Sequence, residues 1–243
     1  LEKTRRKRGI QKIYEPVQRN AMKKIISYSL WGNNKKYTIG AIKNAKNNLE
    51  IYPDFISRFY VDLTVPKDII FQLEEMEKVE VIQKNVIGDW RFSAQRFLPF
   101  AEQDVECFLS RDCDSRSSLR EEKAVREWEK SGKIFHIMRD HPYHAGFPIL
   151  AGMFGSKGGI IKEINKMIED NILVNTYHSD QIFLEKYIHP LIKENCVVHD
   201  EFFDKLPFPK KREGLEFIGE PFNEDDTPCN MKHREELQKY EIL

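Results

Sequence analysis

The sequence predicts an α/β fold, a mostly parallel central sheet flanked by helices. Short apolar runs alternate with helix-spaced segments along the chain. Strand after predicted strand ends on groups able to do chemistry: Ser29/Trp31, Asp62, Asp112/Asp114, Asp140 and His199. That convergence suits a sheet whose ligands sit beyond the carboxyl ends of its strands.

The elements follow in order. Ile25 to Leu30 is apolar and closed by Trp31-Gly32, a strand and a turn. Tyr37 to Leu49 carries helical spacing, and Pro53 ends it. Phe55 to Leu63 reads as a strand. Pro66 starts a helix through Glu77, with Ile69, Ile70, Leu73 and Met76 on one face. Val79 to Ile82 is a strand, and Phe92 to Phe100 is helical with a Pro99 stop. Val105 to Leu109 is a strand that runs directly into an acidic motif. Leu119 to Lys130 is a charged amphipathic helix, and Ile134 to Met138 a strand ending at Arg139-Asp140. Ile160 to Asp170 and Gln181 to Ile192 are helices, and Cys196 to Val198 is a short strand. From about 204 the chain is rich in Pro, Gly and charge and is expected to be mostly loop. No repeat or low-complexity block interrupts the pattern.

Composition narrows the function. With 243 residues the chain can bury a sizeable core. Lys+Arg and Asp+Glu are equal at 39 each, so no global field draws it to nucleic acid. No apolar run is long enough to span a bilayer, and no signal-peptide pattern opens the sequence. The chain starts at Leu1 and is expected to be a trimmed or excised piece. Residues 3 to 8 form a basic run, read as a leader. Cys107, Cys113, Cys196 and Cys229 form no C-x-x-C pair and no zinc spacing, which suits a reducing compartment and a cytoplasmic location. The glycines at 152, 155, 158 and 159 form neither G-x-G-x-x-G nor a Walker loop, which argues against a dinucleotide dehydrogenase and a P-loop NTPase.

Asp112 and Asp114 are the centre of the functional reading. In extended backbone, residues two apart point the same way. Two carboxylates so placed repel unless a cation lies between them, and Mn²⁺ or Mg²⁺ with a diphosphate fits oxygen ligands. Such an ion assists departure of a nucleoside diphosphate. His199, after Cys196-Val197-Val198, is a candidate third ligand or a polar histidine at a strand end. Trp31 or Tyr37 is placed to stack on a base or to pack in the core. Asp62 either binds base or ribose or caps Thr64-Val65-Pro66. Arg91 and Arg96 offer guanidinium forks to phosphate or pair with surface carboxylates, while Arg116 is read as ordering the motif. Asp140 ends a strand facing the same cleft and is a candidate substrate ligand or general base, with His141 and His144 beside it. Asp180 and Gln181 open a helix, with Ser179 as a candidate N-cap and Asp180 as a first-turn acid favoured by the helix dipole. Lys210, Lys211 and Arg212 are a basic cluster, a clamp for diphosphate or merely solvated.

The chain resembles GT-A-fold glycosyltransferases. Trp90 to Gly155 is similar to a group of bacterial and giant-virus glycosyltransferases. The resemblance rests on Trp90-Arg91-Phe92, Arg111-Asp112-x-Asp114-Ser115-Arg116, Arg120-Glu121 with Ala124-Val125 and Glu127-Trp128, Phe135 to Pro142, and Ile149 to Gly155. With the strand at Lys24 and the segment from His178 to Gly219 it covers roughly 22 to 222. More distantly the order Asp112/Asp114, Ala151-Gly152, Asp180-Gln181, His199 is similar to retaining galactosyl- and glycogenin-type transferases. Leu150 before Ala151 and the short His199-Asp200-Glu201 depart from that pattern.

The resemblance implies a single GT-A domain over 22–222, between a leader at 1–21 and a tail at 223–243. It implies transfer of a hexose from a UDP-sugar to a hydroxyl of a glycan or protein, with Mn²⁺ or Mg²⁺ and, given Asp180-Gln181, retention. It implies a cytoplasm of a bacterium or of a virus-infected cell. The implied nucleotide-sugar contacts are Ser29, Leu30, Trp31, Tyr37, Asp62, Arg91, Arg96, Cys113, Ala151, Gly152 and Lys211. The implied catalytic set is Asp180, Gln181 and Asp140, and the metal ligands are Asp112, Asp114 and His199. Two rivals stand: another metal-dependent nucleotide enzyme (a nucleotidyltransferase or phosphohydrolase), and a non-catalytic module of a larger glycan-assembly protein.

Overall fold

A computed structural model describes residues 22–241; the basic leader expected at 1–21 lies outside them. The strands are β1 (Lys23–Leu30), β2 (Ile56–Val61), β3 (Val79–Gln83), β4 (Val105–Ser110), β5 (Phe135–Arg139), β6 (Phe154–Lys157) and β7 (Cys196–Asp200). They form one sheet in the order β3-β2-β1-β4-β6-β5-β7. Every pairing is parallel except the two made by β6, which runs antiparallel between β4 and β5. The expected mostly parallel α/β sheet is therefore present.

The helices are α1 (Lys35–Ile51), α2 (Lys67–Glu74), α3 (Leu119–Ser131), α4 (Ile164–Asn171), α5 (Ser179–Phe183), α6 (His189–Ile192) and α7 (Met231–Glu241). A long 3-10 segment spans Trp90–Ala101. Local chemistry explains the boundaries. Asn34 caps α1 by accepting from the Lys36 amide, and Ser118 caps α3 through the Glu121 amide. Gly132 ends α3 in the left-handed region, φ 72°. Between α5 and α6 the chain widens into a π turn at Leu184–Ile188. Pro190 has no amide hydrogen for the carbonyl four residues back, and its ring crowds that turn.

Helices cover both faces of the sheet, so its strands read as nearly unbroken apolar runs. On one face Phe97, Phe100, Phe108, Phe135, Phe154 and Phe183 pack with Ile25 and Ile164. On the other, Tyr28, Leu30, Phe59, Val61 and Leu109 meet α1, α2 and Trp128 of α3.

Two elements differ from expectation. β6 was not foreseen: four residues with Gly155 at their centre carry too weak a pattern. Gly155 is needed because a Cβ there would press on Trp128 and Leu109. The stretch after 204, expected to be mostly loop, is so as far as residue 230 and then ends in α7, whose Leu237 is fully buried. That part of the chain is tied to the body: Arg234 pairs with Glu220 at 2.6 Å, and Asp226 accepts from Arg116 at 3.1 Å. Among the described residues no helix is long and apolar enough to cross a membrane.

Candidate active site

The strand order reverses at β1, whose following helix leads to β2 on one side while β4 lies on the other. In open sheets the ligand crevice lies at such a switch point. A cleft of about 620 Å³ opens here, lined from Ser29 to Asn34 after β1 and from Asp112 to Asp114 after β4.

Asp112 and Asp114 lie on a turn, not on extended backbone as expected. The turn is closed by the Ser115 amide and hydroxyl, both donating to the Asp112 carbonyl at 3.3 and 3.1 Å. Asn44 of α1 donates to the Cys113 carbonyl at 3.1 Å. Helix α1 passes so close that a Cβ on Gly40 would overlap that carbonyl. Arg111, paired with Glu121 at 2.8 Å and donating to the Phe154 carbonyl, fixes the end of β4. Arg116 donates to the Cys113 and Ser115 carbonyls, so it orders the motif.

Both aspartates line the cleft, each with a cationic neighbour. Lys36 at the start of α1 reaches Asp114 at 2.7 Å. Arg96, buried in the 3-10 segment, pairs with Asp112 and, at 2.7 Å, with Asp180. Burial, then the charge of Asp112, pushes the Asp114 carboxyl above its ordinary range. Burial likewise pushes Asp180 up, against the pull of Arg96.

Ala151-Gly152 forms the opposite wall. Gln181 accepts from the Ala151 amide at 3.0 Å and donates to the Ile149 carbonyl, so both its polar ends are spent holding this turn. A Cβ on Gly152 would overlap the Asp112 carboxylate, so only glycine lets this wall lie against the acidic motif. Ser29 ties β1 to the 3-10 segment, donating to the Ser93 carbonyl and accepting from the Arg96 amide, each at 2.9 Å.

Twelve predicted residues thus line one cleft: Ser29, Leu30, Trp31, Tyr37, Arg96, Asp112, Cys113, Asp114, Ala151, Gly152, Asp180 and Gln181. Five do not reach it. Asp140 is fully buried; Arg120 at 2.9 Å, Arg212 at 2.8 Å and the Ile218 amide at 3.0 Å occupy its oxygens, so it anchors the C-terminal segment. His199 is turned to His136, 2.8 Å between ring nitrogens, and to Glu127 at 3.6 Å. Among the described residues no cluster of three metal-ligating side chains is gathered. Asp62 takes the capping alternative, accepting from the Thr64 and Gly88 amides at 3.0 and 2.6 Å. Arg91 stays with its neighbour Asp89 at 2.6 Å, and Lys211 is exposed on the surface.

Sequence reasoning passed over part of the lining. Trp31, Trp90 and Tyr177 form a chain of edge-on rings with centroids 5.1 and 4.9 Å apart. The Trp90 amide donates to Asn175 at 3.1 Å, which ties the loop before α5 to the 3-10 segment. His178 holds a left-handed φ of 71° at this rim. Gly219 and Pro221 also line the cleft, and so does His144, which the sequence placed only beside Asp140. Trp90 stood in the quoted Trp-Arg-Phe motif and was the readable signal. Tyr177 and the C-terminal segment arrive through long-range packing.

This arrangement is the GT-A-type α/β architecture. A solved glycosyltransferase involved in glycosylation of the major capsid of PBCV-1 superposes with a TM-score of 0.51 at 13% identity, covering 91% of this chain and 100% of that one. The 4-diphosphocytidyl-2C-methyl-D-erythritol synthase from Anaerococcus prevotii matches at TM-score 0.48 and 10% identity, over 79% of this chain and 94% of that one. The galactosyltransferase LgtC, solved with donor and acceptor sugar analogues, matches at 0.45 and 14%, over 73% of each chain. At 13% identity the first likeness is one of fold. No family model and no curated protein matches the chain.

Proposed function

We propose that the cleft is the active site of a glycosyltransferase that moves a hexose from a UDP-sugar to a hydroxyl of a glycan or protein, with Mn²⁺ or Mg²⁺. The observation that carries the reading is the meeting of Asp112, Asp114, Arg96 and Asp180 in one cleft at the strand-order switch. The donor set suits a hard divalent cation. Two carboxylates approach closely enough for one to raise the pKa of the other, and Mg²⁺-like ions are commonly held by one or two carboxylates with the rest of the shell from phosphate and water. Such an ion, when bound, offsets the charge on the departing diphosphate.

The chain's own residues supply the rest. Arg96 and Lys36 each hold a cleft carboxylate and stand beside the place a diphosphate would take. Their donors are suited to phosphate oxygens. Trp31 and Tyr37, at the end of β1, offer ring faces to a base. Gln181 acts by positioning the Ala151-Gly152 wall, and Asp180 presents its carboxylate to the cleft beside Arg96.

Retention is favoured within this reading. Asp140, the candidate general base for inversion, is locked in ion pairs away from the cleft. Asp180 is the carboxylate left near the reacting carbon. A location in the cytoplasm of a bacterium or virus-infected cell goes with the same proposal.

The test is thermal stabilisation by UDP, UDP-glucose and UDP-galactose with and without Mn²⁺. Ligand bound only by the folded state raises the melting temperature. A rise that needs Mn²⁺ is expected, and no rise with any nucleotide sugar contradicts the proposal. Release of pyrophosphate from a nucleoside triphosphate would instead identify a nucleotidyltransferase.

A further inference from the structure

We propose that His144 reads a sugar hydroxyl in the cleft through its Nε2–H, as a fixed hydrogen-bond donor. This rests on the glycosyltransferase reading and adds a residue to it that recognises substrate. A neutral imidazole has one donor nitrogen and one acceptor nitrogen. Nδ1 of His144 accepts from the Asp140 amide at 3.1 Å, so the proton sits on Nε2. That amide cannot drift, because the Asp140 side chain is clamped by Arg120, Arg212 and the Ile218 amide.

The ring is also held by neighbouring rings. His141 lies 5.6 Å away and Phe217 5.7 Å, centroid to centroid. The His144 amide donates to the His141 carbonyl at 2.9 Å, which fixes the backbone. Nε2, by contrast, meets no hydrogen-bond partner among the described residues, and His144 is half-buried and lines the cleft. Burial, with His141 and His233 nearby, brings the ring's pKa down to about 3, so at neutral pH this is the ring's sole proton.

Two of the cleft's side-chain donors are already engaged. Gln181 spends its amide on the Ile149 carbonyl, and Arg96 is divided between Asp112 and Asp180. Asp112, Asp114 and Asp180 of the same lining are acceptors. A sugar hydroxyl that donates to one of these carboxylates can accept from His144. The hydroxyl belongs either to the transferred hexose or to the saccharide that receives it.

Titration calorimetry in Mn²⁺ separates the cases. Wild type, His144→Ala and His144→Gln are titrated with UDP, with UDP-glucose and UDP-galactose, and with lactose and maltose on the UDP-bound protein. His144→Ala is expected to bind UDP like wild type and to lose about tenfold in affinity for a sugar-bearing ligand. Loss with a UDP-hexose places the contact on the transferred sugar; loss with a disaccharide places it on the acceptor. His144→Gln, which keeps an N–H donor at similar reach, is expected to recover part of the loss. Unchanged affinity for every sugar-bearing ligand, or an equal loss for UDP itself, overturns the inference. Failure of wild type to bind UDP or any UDP-hexose would refute the underlying glycosyltransferase reading instead.

Discussion

The guanidinium of Arg96 lies 2.7 Å from the carboxylate of Asp180 and reaches Asp112 with its other terminal nitrogen. One buried cation therefore joins the acidic turn after β4 to the start of α5. Replacing it by methionine leaves Asp180 buried without a counter-charge, at a cost of about 3–5 kcal/mol. Burial already raises the Asp180 pKa, and losing Arg96 raises it further. The raised pKa adds stability at low pH that is lost as pH rises, so the deficit of Arg96→Met should be larger at pH 8 than at pH 5. Urea midpoints at the two pH values check this.

Two glycines near the motif should respond differently to alanine. On Gly152 the added carbon meets the Asp112 carboxylate, a side chain that is 46% exposed and able to swing. Gly152→Ala is expected to stay folded but to lose Mn²⁺-dependent UDP-sugar binding. On Gly40 it meets the backbone carbonyl of Cys113, which has no such freedom. Gly40→Ala is expected to cost about 1–3 kcal/mol, as overpacking does. Parallel denaturation and ligand-induced melting shifts separate the two effects.

Gln181→Glu removes the donor to the Ile149 carbonyl and sets a carboxylate against it. The buried carbonyl then lacks its partner, worth about 1–3 kcal/mol. Since Gln181 holds the 149–151 turn, weaker UDP-sugar binding should accompany the lower urea midpoint. Full stability in Gln181→Glu would refute the positioning role.

Acid should destabilise the protein through histidines that the fold holds neutral. His144 is held to about 3 by burial and by the neighbouring His141, His233 and Arg212, with Asp200 acting the other way; His136 is held well below its ordinary value by burial and His199. The unfolded chain takes up these protons near 6.5 and the folded chain does not. The stability is therefore present above pH 6.5 and is lost as pH falls toward 3. At pH 5 the His144 share is about 2 kcal/mol. His144→Gln should flatten the fall in stability between pH 7 and pH 5 by about that amount.

Much of this was legible before the structure, for identifiable reasons. The strand from Val105 and its acidic end form a local pattern, and the parallel order follows from the strand–helix alternation. Asp180-Gln181 and Ala151-Gly152 were readable only through resemblance, since nothing local says that they meet. His199 and Asp140 stand at strand ends as expected, yet a strand end does not say which neighbour a side chain chooses. Asp140 met Arg120 and Arg212 from distant parts of the chain, and His199 met His136 across the β5–β7 pairing. β6 and α7 depend on long-range burial that short windows do not carry.

The most direct measurement is phosphorus NMR of nucleotide formed from UDP-glucose and UDP-galactose, with and without Mn²⁺, for wild type and Asp112→Asn/Asp114→Asn. UDP is expected from at least one UDP-hexose, at a rate reduced about 100-fold or more by removing the metal or both carboxylates. No UDP from either sugar nucleotide, or a rate unchanged in the double variant, would contradict the proposed function.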